Sequence, residues 1–149
     1  MSPRSGPGER FQDETKYERG KLPGGGLDWD ARPAPYKTHS AAKRVMLPAP
    51  ERKGGPPLWD VVRARRSERH FRGAAMPVAD LSQLFWAIQG ITGRAHGCEL
   101  RAAPSAGALY PVETYVAAQN VEGLPSGIYH YDVRGHALET LREGDVREP

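Results

Sequence analysis

Residues 77–91, PVADLSQLFWAIQGI, carry the strongest structural signal in this 149-residue chain. The proline at the start suits the first turn of a helix, and Asp80 lies where a negative charge interacts favourably with the helix dipole. The large apolar residues recur at the spacing of one helical face, and they are Leu81, Leu84, Phe85, Ile88 and Ile91. We expect Gly90 and Gly93 to end this helix and residues 94–103 to form a loop.

A shorter helix is predicted just upstream of this one. Pro56 and Pro57 suit a helix start, and the residues after them share one helical face, which consists of Leu58, Val61, Val62 and then Arg65. The pattern predicts a helix from Pro57 to about Arg66.

Downstream, the helical spacing gives way to β-branched and aromatic residues. Residues 111–118 predict a strand that is buried on both faces. Residues 128–131 and 137–141 predict two short strands of a hairpin, with Gly135 supplying the positive φ of its turn. Helices followed by strands place the chain in the α+β class, and residues 57–149 are its predicted folded region.

Residues 1–56 have a different composition from the rest. Together with Pro57 they hold 8 of the 17 glycines and 9 of the 14 prolines. Such a segment buries too little apolar surface to offset its ordering entropy. We therefore expect it to be disordered or extended, and removable up to Pro56 without loss of stability. The glycine triplet at 24–26 is predicted to be a flexible linker, because no strand precedes it and no Lys-Ser/Thr pair follows.

The composition excludes several classes of function. Cys98 is the only cysteine, so the chain has no internal disulfide and no Cys-x-x-Cys redox pair. No run approaches the ~20 apolar residues of a membrane span, and the start of the chain lacks a signal peptide, which predicts a cytoplasmic protein. The net charge of +3 comes from a basic surplus spread among acids in the N-terminal segment, a pattern that does not indicate nucleic-acid binding.

A basic cluster follows the shorter predicted helix. In an extended chain Arg65, Ser67 and Arg69 point the same way, so two guanidinium groups and a hydroxyl could converge on one phosphate dianion. Arg66 belongs to the same cluster but should point away from the others. The alternative is that these arginines are solvated residues at the negative end of a helix dipole. Considered alone, the cluster favours that alternative.

A second candidate site is the segment PSAGALYP at residues 104–111. Ser105 can cap a short helical turn whose free N–H groups face outward. Ala106 and Gly107 leave room for a flat ring, such as the edge of a flavin, to approach the backbone. The alternative is an ordinary serine cap in a loop rich in proline and glycine.

The remaining polar and aromatic residues indicate no further site. Tyr129 and Tyr131 share one face of a strand, where such pairs usually pack in the core or the hairpin. His70, His96 and His136 have no second ligand at metal spacing, so no metal site is predicted.

Taken in order, four segments of the chain resemble the SagB-type dehydrogenases of the nitroreductase superfamily. The segments are RRSERHF at 65–71, LSQLFWA at 81–87, PSAGALYP at 104–111 and GIYHYD at 127–132. The N-terminal pieces ETKY at 14–17 and LP at 47–48 are similar to the segment that precedes that domain. The resemblance covers about residues 13–145, and it favours flavin binding over the alternatives left open for each segment alone.

The resemblance implies a nitroreductase-like fold that binds FMN at the interface of a homodimer. Arg65, Ser67 and Arg69 would hold the phosphate and ribityl end of FMN. Pro104, Ser105 and Ala106 would approach the isoalloxazine ring from the partner subunit. The neighbouring Arg66 and Gly107 complete the two candidate cofactor-binding segments, and the resemblance assigns no catalytic side chain.

The resemblance also implies a class of reaction, in which hydride passes through the flavin. SagB-type enzymes oxidise thiazolines or oxazolines in ribosomally made peptides, usually beside a cyclodehydratase. Two alternatives stay open: an NAD(P)H-dependent nitroreductase or quinone reductase, and a catalytically incomplete half-domain that dimerises or binds flavin. Because the family domain continues beyond the last predicted hairpin, we expect the chain to be its truncated N-terminal half and to bind FMN weakly by itself.

Overall fold

The structure is a computed structural model that describes residues 6–18, 20–21, 28, 30–31, 33–71 and 73–147. It divides into two compact units, Met1–Pro33 and Ala34–Pro149. None of the helices in the described part of the chain has the length and apolar character needed to span a bilayer. The glycine triplet at 24–26 lies outside the described residues.

The described residues form three helices and six strands. In chain order these are α1 (Pro7–Thr15), β1 (Arg44–Met46), α2 (Leu58–Ala64), α3 (Val78–Gln89), β2 (Ile91–Ala95), β3 (Cys98–Arg101), β4 (Tyr115–Ala118), β5 (Gly127–Asp132) and β6 (Ala137–Glu143), with a 3-10 turn at Ala106–Ala108 before β4. This mixture of helices and antiparallel strands agrees with the predicted α+β class.

The first unit contains α1, where the composition predicted a disordered or extended segment. The Thr15 hydroxyl donates to the carbonyl oxygen of Phe11 at 2.6 Å, which adds a side-chain bond to the last turn of the helix. Further along, the Asp28 carboxylate accepts the backbone N–H groups of Asp30 and Ala31 at 3.0 and 3.3 Å. Local hydrogen bonds of this kind favour turns.

The second unit is built on an antiparallel sheet of four strands in the order β1-β6-β5-β4. Strand β1 places Val45 opposite Leu138, and Leu47, just after it, is buried in the core. The second compact unit therefore begins at Ala34. The composition predicted that the folded region begins near Pro57. The pattern missed β1 because a three-residue strand is too short to show an alternation, whereas its backbone pairing depends on a distant strand.

Helix α3 forms where the periodicity predicted it, but its buried face is rotated from the predicted one. Leu81 and Phe85 are buried, and the Phe85 ring stacks on Tyr131 with 4.6 Å between centroids. Leu84 and Ile88 are about half exposed, while the neighbouring face buries Ser82 and Gln89. The sequence pattern did not predict this rotation, because Ser82 and Gln89 are polar and polar residues are not expected on the buried face.

Two details of the predicted loops and turns are wrong. Residues 94–103, predicted as a loop, contribute to an antiparallel hairpin of β2 and β3. In the β5–β6 turn the positive φ belongs to His136, at 45°, and not to Gly135. Gly135 is needed for another reason: a Cβ there would collide with the ion pair between Asp132 and Arg44.

Strand β4 is shorter and more exposed than the sequence predicted. It begins at Tyr115, so residues 111–114 precede the strand as irregular backbone. Val112 and Tyr115 are exposed, and of the four strand residues Ala118 is the buried one. The expected burial on both faces is therefore wrong, because β4 is an edge strand that pairs with β5 alone.

Candidate functional site

The basic cluster predicted from the sequence lies directly after α2. The helix ends at Ala64 because Arg65 is already extended, with φ −53° and ψ 125°, while its N–H still donates to the carbonyl of Val61 at 2.9 Å. All residues from 65 to 69 are exposed. The chain thus presents the cluster to solvent at the end of a helix.

Arg66 differs from its neighbours in what it contacts. Its Nη1 donates to the carbonyl oxygens of Arg63 and Arg65, both at 2.8 Å. These bonds satisfy carbonyls at the helix end that have no partner within the helix. Arg66 therefore has a structural role at the end of α2.

The other members of the cluster remain available to a ligand. Among the described residues, no hydrogen bond or ion pair engages the side chains of Arg65, Ser67 and Arg69. Glu68 forms no ion pair with an arginine among the described residues, and its carboxylate accepts the backbone N–H groups of Arg69 and His70 at 2.9 and 2.8 Å. These two bonds lower the pKa of Glu68. Two unpaired guanidinium groups and a hydroxyl suit a phosphate dianion, so the donor set fits the phosphate end of FMN.

The second candidate segment forms a tight turn with an unusual backbone. Gly107, Ala108 and Tyr110 all have positive φ, at 62°, 51° and 44°. Ser105 precedes the 3-10 turn as predicted, but its hydroxyl does not cap that turn. Instead Ser105 Oγ accepts the N–H of Tyr110 at 2.8 Å. The strained backbone is thus closed by a serine–tyrosine bond, and strain of this kind often occurs at functional sites.

Arg101, which the sequence did not single out, anchors this turn. Its backbone N–H donates to the Tyr110 hydroxyl at 2.9 Å. Its guanidinium is buried, lies 4.8 and 4.7 Å from the ring centres of Tyr36 and Tyr110, and donates to the Pro35 carbonyl at 2.9 Å. The arginine therefore joins residues 34–36 to the turn through cation–π contacts. No local pattern identifies this role, since the partners are far apart in sequence.

The two candidate segments are not joined within the chain. Among the described residues no hydrogen bond or ion pair links residues 65–69 to residues 104–107. The two segments therefore have separate sets of contacts. The small residues of the turn leave its backbone accessible, since Ala106 and Gly107 are exposed.

A pair formed by the buried Ser82 and the half-buried His136 was also not predicted from the sequence. Ser82 Oγ lies 2.7 Å from His136 Nε2 and donates to the Pro48 carbonyl at 2.6 Å, while His136 Nδ1 lies 2.8 Å from the Tyr131 hydroxyl. Burial lowers the pKa of His136 and raises that of Tyr131 to about 12. The network is satisfied by a neutral imidazole that donates from Nε2 and accepts at Nδ1. Because the serine proton is directed to Pro48, the pair is not an activated nucleophile.

Comparison with known proteins identifies relatives of this chain. The sequence pattern of the nitroreductase family matches residues 62–149. A protein of Methanocaldococcus jannaschii named "Putative nitroreductase" is 33% identical over 89 residues, which cover 60% of this chain and 43% of that protein. The trifolitoxin-processing protein of Rhizobium leguminosarum bv. trifolii is 43% identical over 42 residues, which cover 28% of this chain and 11% of that protein. The chain thus spans less than half the length of either relative.

Solved structures give the same result for the fold. A crystal structure titled "putative nitroreductase" from Anabaena variabilis aligns with 93% of this chain and 26% of its own, at a TM-score of 0.63 and 29% identity. One with the same description from Ralstonia eutropha aligns with 77% of this chain and 56% of its own, at a TM-score of 0.58 and 32% identity. The predicted nitroreductase-like fold is confirmed by these alignments.

Proposed function

The chain belongs to the nitroreductase family, and we propose that it supplies part of an FMN-dependent oxidoreductase of the SagB type. The family match makes the chain part of a group of oxidoreductases that typically use a flavin. FMN, the reaction and the substrate are our proposals. These proposals are supported by Arg65 and Arg69, whose side chains have no partner among the described residues. They are exposed in a domain of a family whose flavin cofactor needs a cation site for its phosphate.

In this proposal the chain binds and orients the cofactor. Arg65 and Arg69 neutralise the phosphate, and Ser67 donates to a phosphate or ribityl oxygen. When bound, FMN supplies the chemistry of hydride transfer. Arg66 keeps the end of α2 ordered and so positions the arginine that precedes it.

The turn at 104–107 has a complementary role in the proposal. The Tyr110 hydroxyl accepts the N–H of Arg101, and Ser105 Oγ accepts the N–H of Tyr110, so these bonds close the segment that contains the turn. The small residues of the turn allow a flat ring to approach. We assign Pro104, Ser105, Ala106 and Gly107 to the ring of a flavin held chiefly by a second copy of the chain. This assignment of the ring to a second copy implies a homodimer.

The proposed reaction is the dehydrogenation of thiazolines or oxazolines in a peptide, in the cytoplasm and beside a cyclodehydratase. The order of the four segments supports this branch of the family, as does the similarity to a relative named for the processing of trifolitoxin. The relatives named as nitroreductases support reduction of nitroaromatics with a nicotinamide as the competing reaction.

The cofactor proposal is tested by titrating the purified chain with FMN and following flavin fluorescence. We expect Arg65→Ala and Arg69→Ala each to weaken binding at least about tenfold, because each removes a charge-assisted bond worth roughly 1.5–3 kcal/mol. Arg66→Ala is the matched control, because its guanidinium is already bound to helix carbonyls. An equal loss in all three variants, or no binding by the unaltered chain, would contradict the phosphate site.

The reaction is tested separately with the FMN-loaded protein. Conversion of a thiazoline-containing peptide to the thiazole, observed as a loss of two hydrogens by mass spectrometry, would support the SagB-type reaction. Nicotinamide-driven reduction of a nitroaromatic without azoline oxidation would assign the chain to the competing branch. A protein that dimerises but takes up no flavin would instead be a non-catalytic binding module.

A further inference from the structure

The two faces of the four-stranded sheet differ in chemistry. The face that carries Tyr129, Tyr131 and Leu138 packs in the apolar core. The strand register places His130 opposite Tyr115 on one side and Glu139 on the other, so these three residues share the opposite face. His130 and Glu139 are nonetheless almost fully buried, with 0% and 1% exposure. Polar groups buried to this extent need specific partners.

His130 has a carboxylate at each ring nitrogen. Nδ1 lies 2.9 Å from Glu139 Oε2, and Nε2 lies 2.9 Å from Glu113 Oε2. Glu113 thus fixes the orientation of the ring from one side, and Glu139 contacts it from the other.

His39 approaches the same carboxylate from the segment that precedes β1. Its backbone N–H donates to Glu139 Oε2 at 3.0 Å, and its ring packs edge-on against His130 with 5.0 Å between centroids. The ring atom Nε2 of His39 is buried and has no hydrogen-bond partner among the described residues. An unsatisfied buried polar atom is destabilising and calls for an explanation.

We propose that His39, His130 and Glu139 bind a divalent transition-metal ion, with Zn²⁺ as the best match. One nitrogen from each histidine and one oxygen from Glu139 lie within 4.8 Å of one another. Zn²⁺ bonds of roughly 2.0–2.2 Å in a tetrahedron separate ligand atoms by about 3.4 Å, so small side-chain shifts complete the site. Two imidazoles and a carboxylate are ligands that zinc commonly takes.

The remaining groups have defined roles in this site. Zn²⁺ replaces the proton between His130 Nδ1 and Glu139, and that proton leaves to solvent. Glu113 keeps its bond to Nε2–H and acts as the outer carboxylate that orients a ligating histidine. Water completes the tetrahedron. His39 Nε2, otherwise unsatisfied, gains a partner.

The metal would connect parts of the chain that are distant in sequence. His39 and Glu139 are 100 positions apart, and β5 and β6 supply the other ligands. The site therefore ties residues 34–43 to the polar face of the sheet. It stabilises the fold and is independent of flavin binding. Spacing in the sequence did not indicate it, because the ligands come from three separate elements.

The test uses the chain prepared without a histidine tag, treated with EDTA and dialysed. Isothermal titration with ZnCl₂ should show one Zn²⁺ bound per chain, and the melting temperature should rise with Zn²⁺ concentration. His39→Ala should weaken binding at least tenfold and abolish that rise. Glu113→Gln should weaken it about 10–100-fold, as expected for an outer carboxylate. His96→Ala removes an exposed histidine elsewhere and should change neither quantity.

Co²⁺ provides an independent readout of the ligand set. The chain loaded with Co²⁺ should show the visible absorption of a tetrahedral site, and His39→Ala should lose it. His39 is the preferred position for substitution because His130 is fully buried, and circular dichroism verifies that each variant is folded. The proposal is overturned if no stoichiometric Zn²⁺ binds, or if folded His39→Ala binds it as tightly as the unaltered chain does.

Discussion

Helices α2 and α3 have comparable apolar sequences and opposite environments. In α3, Leu81 and Phe85 are 6% and 4% exposed, whereas in α2, Leu58 and Trp59 are 68% and 78% exposed. The difference arises because α3 packs on the sheet, where the ring of Phe85 stacks on that of Tyr131. Helix α2 has no buried residue, so its apolar side chains face solvent. Helical periodicity therefore predicts a helix, but burial requires a second layer.

The same contrast extends to the regions around the two helices. Every residue from 51 to 71 is exposed, and this exposed segment holds the proposed phosphate-binding arginines. The sheet layer, residues 34–47 and 74–147, holds the core and the turn at 104–107. The core and the proposed phosphate site thus lie in different parts of the chain, and mutations should separate stability from cofactor binding.

The largest effect should come from removing the first strand of the sheet. Deleting residues 1–47 removes β1 and the buried Leu47, and we expect the melting temperature to fall by about 10 °C or more. Deleting residues 1–33, which form a separate compact unit, is the matched control and should change it little. Calorimetry measures both. Equal melting temperatures for the two deletions would show that residues 34–47 are dispensable for stability, as the composition predicted.

An identical substitution in the two regions should have unequal effects. Leu138→Ala removes a fully buried side chain and should lower the free energy of unfolding by about 2–5 kcal/mol. Leu58→Ala, in exposed α2, should lower it by less than about 0.5 kcal/mol. Urea denaturation gives both values. A large loss at Leu58 would show that α2 is covered in solution, for example by a second copy of the chain.

A smaller, pH-dependent effect is expected where residues 34–36 meet β3. Hydrogen bonds to the Glu99 carboxylate lower its pKa from 4.5 to about 2. The largest effect comes from the Tyr36 hydroxyl, and smaller ones come from Arg94 and Arg134. Because the pKa is lower in the folded state, this stabilisation is present above about pH 4.5 and is lost as the pH falls towards 2. Glu99→Gln should therefore reduce stability at neutral pH, and the variant and the unaltered chain should converge over that range.

Urea denaturation at several pH values measures the convergence. Glu122→Gln, at an exposed glutamate, controls for the loss of one negative charge from the chain. A stability difference for Glu99→Gln that does not change with pH would exclude the ionised carboxylate as its cause.

Local patterns predicted much of the fold and the identity of the candidate segments. Proline starts and apolar spacing located α2 and α3 to within about two residues, and the turn residues located the β5–β6 hairpin. The basic cluster and the turn at 104–107 were recognised from residue type and order. It was harder to predict which arginines remain free, because this depends on the bonds that Arg66 makes to the carbonyls of Arg63 and Arg65.

The sequence by itself determined where α2, α3 and the β5–β6 hairpin form, because those preferences act between residues that are close along the chain. Tertiary structure alone decided which of them are buried and which side chains meet. It paired β1 with β6, set Arg101 between Tyr36 and Tyr110, and brought His39 to Glu139 across 100 positions. Contacts of this range depend on the packing of layers, which no local pattern encodes.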